Sequence, residues 1–238
     1  MKSAFVTGAN RGFGWALAEN LLERGYRVFG GTRGFGSSLP EHDNLSWVEC
    51  DVEDDFSIEQ AAREVEGQTK SLSLLINNAG VNKDTFAVSK REKVSKLGHL
   101  DRDALTMMFD VNAIAPLLVL QAFLPLLAED PSYVVNIGSS RGTVYGMGRA
   151  TTANYGYAAS KAALHLTTYC ATRDLPPNVR IFAFNPGRMA TEMRTDGEDP
   201  KVRATQCLEI IKYWGNKDYQ PEDFHGRLVH WDGTLHIP

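Results

Sequence analysis

Residues 3–14 read Ser3-Ala4-Phe5-Val6-Thr7-Gly8-Ala9-Asn10-Arg11-Gly12-Phe13-Gly14. A short apolar run ends at Thr7, and glycines follow at positions 8, 12 and 14. The run predicts a strand covered on both faces, and the glycines predict a tight turn that opens a helix. Such a turn lets backbone N–H groups approach a pyrophosphate, whose charge the helix N-terminus favours. Gly8, Asn10, Arg11, Gly12, Phe13 and Gly14 are therefore candidates for contact with a dinucleotide.

The alternation begun here continues along the chain. Strands are expected over residues 3–7, 27–32, 45–50, 72–77, 133–138, 179–184 and 227–231, and helices over 12–24, 57–66, 101–128, 154–174 and 200–214. Strand alternating with helix implies right-handed crossovers and an α/β fold. The expected architecture is Rossmann-type and doubly wound, a seven-stranded parallel sheet with helices on both faces. No repeat, low-complexity tract or linker interrupts the 238 residues, so residues 1–238 read as a single dinucleotide-binding and catalytic domain.

Composition narrows the partners. A net charge of −4 argues against nucleic acid, which calls for a basic face. Cys50, Cys170 and Cys207 show neither disulfide nor zinc spacing, the six histidines show no metal-ligand spacing, and no metal is expected. His165 is expected to pack rather than act in catalysis, and Cys170 on the same helix to be a small core residue. The N-terminus enters the first strand at once, with no room for a signal peptide, so a reducing, cytoplasmic location is expected. The most apolar run, residues 113–128, contains Pro116, Gln121 and Pro125 and falls short of the roughly 20 apolar residues of a membrane span. It reads as a buried helix, with no membrane partner. Residues 81–100 carry Lys83, Lys90, Arg91, Lys93 and Lys96 without a clean period. They read either as a solvated surface loop or as a flap or acid-binding contact over a site.

The end of the second strand bears on the cofactor. A free ribose 2′-hydroxyl usually meets an Asp or Glu about 20 residues past the glycines. Residues 27–38 contain no acid; Thr32-Arg33 stands there, and Arg11 lies within the glycine turn. Two guanidiniums suit a 2′-phosphate, which favours NADP(H) over NAD(H).

A second constellation carries chemistry. Ser139 is followed by Tyr157-Ala158-Ala159-Ser160-Lys161. Tyr157 and Lys161 lie one helical turn apart on one face. A phenol has a pKa of about 10, and a nearby cation favours its ionised form. A serine hydroxyl beside it can donate to an oxygen on which charge builds up. The three together suit proton transfer in an alcohol/carbonyl pair.

With both ends in view, the chain resembles the single-domain short-chain dehydrogenase/reductase family over nearly its whole length. The motifs are residues 7–14, Asp51-Val52, Asn77-Asn78-Ala79-Gly80, Asn112, Ser139, Tyr157 with Lys161, and Pro186-Gly187 with Thr191. The Asn10-Arg11 and Thr32-Arg33 pairs resemble the NADPH-dependent carbonyl-reductase branch, and residues 226–233 the last strand and turn of C-factor-like members. The resemblance implies that Asp51 contacts the adenine amino group and Val52 flanks the ring. It places Asn78, Ala79 and Gly80 at the adenosine ribose, and Lys161 on the nicotinamide ribose as well as beside Tyr157. Pro186, Gly187 and Thr191 would line the carboxamide and pyrophosphate. The Ser139-to-Tyr157 interval is longer than the family's usual spacing and rich in glycine, which alters the pocket wall.

The resemblance assigns Asn112 to a proton relay in which its main-chain carbonyl binds a water that reaches the lysine. Pro116 has no N–H, so that carbonyl lacks its i+4 donor, and the helix is expected to kink there and fix the water. The expected activity is reduction of a ketone or aldehyde by NADPH, with Tyr157 as proton donor and Ser139 polarising the oxygen. Tyr145, Met147, Met189, Met193 and Trp214 are candidates to border the substrate. The small surface of the 154–174 helix and the family's habit imply a homodimer or homotetramer. The alternative is a catalytically silent NADP-binding redox sensor, which would have no need of Ser139, Tyr157 and Lys161 together. An epimerase or dehydratase relative would need a longer chain.

Overall fold

The computed structural model describes residues 1–36, 39–82, 90–127, 131–148, 150, 153–190, 197–214 and 224–235. One sheet holds seven strands: β1 (Ser3–Thr7), β2 (Arg27–Thr32), β3 (Leu45–Glu49), β4 (Leu74–Asn77), β5 (Ser132–Ile137), β6 (Val179–Asn185) and β7 (Leu228–His230). All pairings are parallel, in the order β3-β2-β1-β4-β5-β6-β7. The winding reverses between β1 and β4, which opens a crevice at the C-terminal ends of the strands. The helices are α1 (Gly12–Glu23), α2 (Asp55–Glu66), α3 (Glu92–Ser95), α4 (Arg102–Phe109), α5 (Ala115–Leu127), α6 (Val144–Met147), α7 (Tyr155–Ala171) and α8 (Pro200–Trp214). This is the doubly wound Rossmann-type sheet expected from the sequence.

Strand geometry explains how one short run feeds two cores. Successive side chains point to opposite faces. Ala4 and Val6 of β1 join the layer under α1 and α8, with Leu17, Leu21, Cys207 and Leu208. Phe5 joins the layer under α2 and α5, with Ile58, Val65 and Phe123. The Phe5 and Phe123 rings lie 4.3 Å apart at their centroids. Both faces are dry, so the strands carry apolar residues throughout instead of alternating with polar ones.

Capping sets two helix starts. The Asp54 carboxylate accepts from Phe56 N at 3.0 Å, so α2 begins at Asp55, earlier than the expected 57. Asp101 accepts from Ala104 N at 3.1 Å and caps α4; that bond holds its carboxyl below the usual carboxylate pKa.

The apolar run 113–128 belongs to a longer helical stretch, Arg102–Leu127, whose 26 residues are by length and composition able to cross a membrane. Its apolar face lies on the sheet instead, with Val119, Leu120, Phe123, Leu126 and Leu127 buried. Cys170 departs from expectation. It is exposed, because the buried stripe of α7 runs through Lys161, Leu164 and Thr168. Cys50 and Cys207 are buried, and burial pushes both thiols up, Cys50 to about 12. In the basic segment, residues 83–89 lie outside the described residues. The rest is anchored: Val94 is buried beside Ala104 and Met108, with Tyr157 against the cluster. Lys96 pairs with Glu92, and Lys93 with the Asp101 that caps α4, so these lysines face nearby acids.

Phe123 carries much of the α5 layer. Phe123→Ala should lower unfolding free energy by about 3–5 kcal/mol, measured by denaturant titration; a loss under about 1 kcal/mol would show that the layer closes over the gap.

Candidate active site

The turns after β1 and β4 are knitted together. The Thr7 hydroxyl accepts from both Asn78 N and Ala79 N at 3.0 Å. The Asn78 side-chain amide donates to Thr7 O at 3.0 Å and to Gly8 O at 3.2 Å. A Cβ on Gly14 would sit 2.1 Å from Gly8 O, so no other residue allows α1 to start this close to the strand. The first turn of α1 carries no acid, and Asn10 and Arg11 are exposed in front of it. Open helix-start amides with no competing carboxylate fit a phosphate group.

Individual nucleotide candidates fall into different roles. Phe13 turns into the core, its ring 6.4 Å from that of Phe184, so only its backbone is left for a ligand. Thr32 is buried and its hydroxyl donates to Gly34 O at 3.2 Å. Arg33 is the exposed group at the end of β2 and pairs with Glu53 at 3.5 Å. A search for acids confined to residues 27–38 misses Glu53, which reaches over from beyond the neighbouring strand β3. The Asp51 carboxylate accepts from Glu53 N at 3.1 Å, and Val52 packs against the α2 layer. Pro186 and Gly187 follow β6, with Gly187 in the left-handed region at φ +72°. Thr191 and Met193 lie outside the described residues.

At the other end of the cleft, Ser139, Tyr157 and Lys161 come together. Ser139 ends β5 in extended conformation and starts a 3-10 turn, Ser140–Gly142. Its side chain accepts from Arg141 N at 3.2 Å and favours the ionised form of the Tyr157 phenol. α7 begins after Asn154, whose backbone is left-handed at φ 44°, a conformation asparagine tolerates. Lys161 is 5% exposed, with Nζ donating to Ile137 O at 2.6 Å and lying 6.0 Å from the centre of the Tyr157 ring. Burial alone brings its pKa down to about 8.

Tyr157 differs from the sequence expectation. Burial raises its pKa, opposed by the Ser139 side chain and the Arg141 guanidinium. The cation that favours the ionised phenol here is the Arg141 guanidinium. Arg141 was legible only as one more base in a glycine-rich stretch.

Asn112 is fully buried in a single π turn, Asp110–Ile114, between α4 and α5. Its side chain pairs with Val81 in both directions, accepting from the amide at 2.9 Å and donating to the carbonyl at 2.8 Å. It also donates to Ser160 Oγ at 3.0 Å, and Ser160 donates to Tyr157 O. Ser160, unremarked in the sequence, thus ties Asn112 to α7. Gly80 lies beside this group, a Cβ there being 3.1 Å from Asn112 Oδ1 and 3.8 Å from Lys161 Nζ. The π turn stands where the sequence leads to an expected kink before Pro116. Ala115 N reaches back to Asp110 O, and Pro116 follows in the first turn of α5 without an N–H to offer the preceding turn. Among the substrate-border candidates, Tyr145 is exposed, Met147 is half-buried and Met189 packs against the core. His165 is no bystander: its Nε2 accepts from Ser139 N at 3.3 Å.

Comparison with known proteins identifies the family. The family model for short chain dehydrogenases matches residues 2–201. A 3-oxoacyl-[acyl-carrier-protein] reductase of rhamnolipid biosynthesis from Pseudomonas aeruginosa is 31% identical, over 97% of this chain and 89% of its own. An L-xylo-3-hexulose reductase from Hypocrea jecorina is 31% identical, over 91% of this chain and 77% of its own. The crystal structure of an NADPH-bound carbonyl reductase from chicken fatty liver superposes with TM-score 0.86 at 27% identity, covering 100% and 99% of the two chains. The chain belongs to the short-chain dehydrogenase family and is an oxidoreductase.

Pro116→Ala would return an i+4 donor to the Asn112 carbonyl and let the π turn relax into α-helix. The expected result is a lower kcat with an altered pH profile; unchanged turnover and pH dependence would show that the proline is incidental.

Proposed function

We propose that this enzyme reduces a ketone or aldehyde with NADPH, in preference to NADH, using Ser139, Tyr157, Lys161 and Asn112. The observation that carries the reading is that Tyr157 shares a face of α7 with the buried Lys161, whose Nζ lies 6.0 Å from the centre of its ring, and that the Ser139 side chain bears on its phenol. A raised pKa keeps the Tyr157 phenol protonated near neutral pH, the form that donates to a carbonyl oxygen. Ser139 donates to the same oxygen as it gains charge. Lys161 holds the ribose hydroxyls and, through Asn112, the route by which Tyr157 regains its proton. When bound, NADPH supplies the hydride. The two reductases and the carbonyl reductase are named for different carbonyl compounds, which supports the reaction class and leaves the substrate wider than any one of them.

The dinucleotide is held by the turn from Gly8 to Gly14, by Asp51, Val52, Asn78, Ala79 and Gly80, and by Pro186, Gly187 and Thr191. Arg11 and Arg33 take the 2′-phosphate, with Arg33 exchanging its exposed Glu53 partner for a doubly charged one. The whole chain acts as one catalytic unit, and its three free thiols suit the cytoplasm. Tyr155, Leu166 and Tyr169 stand exposed along one stripe of α7, and Ile114 and Leu117 at the start of α5, an apolar surface that a second copy would cover in a homodimer or homotetramer.

Tyr157→Phe should lower kcat by roughly a hundredfold or more while NADPH affinity stays near wild type, read as absorbance loss with a panel of carbonyls and as fluorescence titration. Retained turnover would remove Tyr157 from the chemistry. Arg33→Asp should weaken NADPH at least about tenfold, the worth of one charge-assisted hydrogen bond, and leave NADH unchanged. Equal losses for the two nucleotides would rule out a 2′-phosphate site there.

A further inference from the structure

One helical turn beyond Lys161 stands His165, so Tyr157, Lys161 and His165 share one face of α7. The imidazole fits between the two glycines that flank the Ser139 turn. A Cβ at Gly138 would lie 2.8 Å from His165 Nε2, and one at Gly142 would lie 2.6 Å from Cε1. Neither separation is open to real atoms, so the ring occupies this place because both positions lack a side chain. Within it, Ser139 N–H donates to Nε2 at 3.3 Å. An accepting Nε2 defines a neutral ring with its proton on Nδ1.

Among the described residues, the other hydrogen bonds to Ser139 come from its own turn. Gly142 N donates to Ser139 O at 3.0 Å, and Arg141 N donates to Ser139 Oγ at 3.2 Å. Gly138 N is fixed to Phe184 O at 2.8 Å, but that bond precedes the turn. His165 is therefore a tether from the Ser139 amide to the helix that carries Tyr157 and Lys161. We propose that His165 is a positioning residue: its neutral Nε2 holds the Ser139 amide and so keeps the Ser139 hydroxyl in register with Tyr157. This rests on the reading of Ser139 as the group that polarises the substrate oxygen.

The test compares His165→Leu, His165→Gln and Ser139→Ala, with NADPH and 4-nitrobenzaldehyde as the probe carbonyl. NADPH affinity and melting temperature are measured alongside. The ring of the wild-type protein is examined by 15N NMR, which does not depend on turnover. His165→Leu removes the acceptor and should lower kcat roughly tenfold, the worth of one hydrogen bond, with NADPH affinity unchanged. His165→Gln places an oxygen where Nε2 stood and should recover most of that rate. The spectrum should show an unprotonated Nε2. A proton on Nε2 overturns the proposal, as does wild-type kcat in His165→Leu where Ser139→Ala is inactive. Equal impairment of the Leu and Gln variants also overturns it, since packing alone would then explain the loss. Full activity of Ser139→Ala would sink the underlying reading of Ser139 instead. Should His165→Leu fail to fold, the spectrum and the Gln variant decide.

Discussion

A buried ammonium sets the geometry of the cleft. Taking a lysine out of water costs several kcal/mol unless the charge finds close partners or is given up. Lys161 meets that cost by donating at 2.6 Å to the Ile137 carbonyl, the last of β5, and by a pKa lowered to about 8. The bond fastens α7 to the sheet at one point and fixes its rotation. Side chains one turn to either side are then placed without further choice: Tyr157 reaches Ser139 on one side, and His165 reaches its amide on the other.

A chain of buried amides supports this arrangement from below. Asn77 Nδ2 donates to Pro116 O at 3.1 Å and to Asn136 Oδ1 at 2.8 Å. Asn136 Nδ2 donates to Thr168 Oγ1 at 2.8 Å, and Thr168 donates to Leu164 O at 2.7 Å. The series crosses two strands and joins the start of α5 to the middle of α7. Buried amides are costly unless bonded, so the spacing of the two helices is held by directional bonds as well as by apolar packing. Asn112 and Tyr157, one on each helix system, inherit that spacing.

The fold was readable because strand and helix periods differ and the glycine turn fixes where one gives way to the other. The two-faced strands from Ser3 and Arg27 announced a doubly covered sheet. Ends were less exact, since capping by Asp54 and Asp101 depends on side-chain geometry that a periodicity search does not see. At the site, residues on one helix face were legible from spacing, as with Tyr157 and Lys161. Groups that arrive from another element were not. Arg141 and Glu53 act through space from neighbouring turns, and Ser160 acts by a bond from α7 to Asn112 on another helical segment. His165 looked like packing because its partner is a main-chain amide, which no sequence pattern marks. Cys170 was misplaced for a simpler reason: an alanine-rich helix gives little contrast between its inner and outer sides.

The Thr7 hydroxyl, accepting two amides from the end of β4, makes one oxygen atom common to both halves of the crevice. From those amides the backbone continues through Gly80 to Val81, which Asn112 grips from both sides. The first turn and the group around Asn112 are thus not separate modules that an engineer can change one at a time. A change that loosens the first turn is inherited, within a few bonds, by the machinery at the far end.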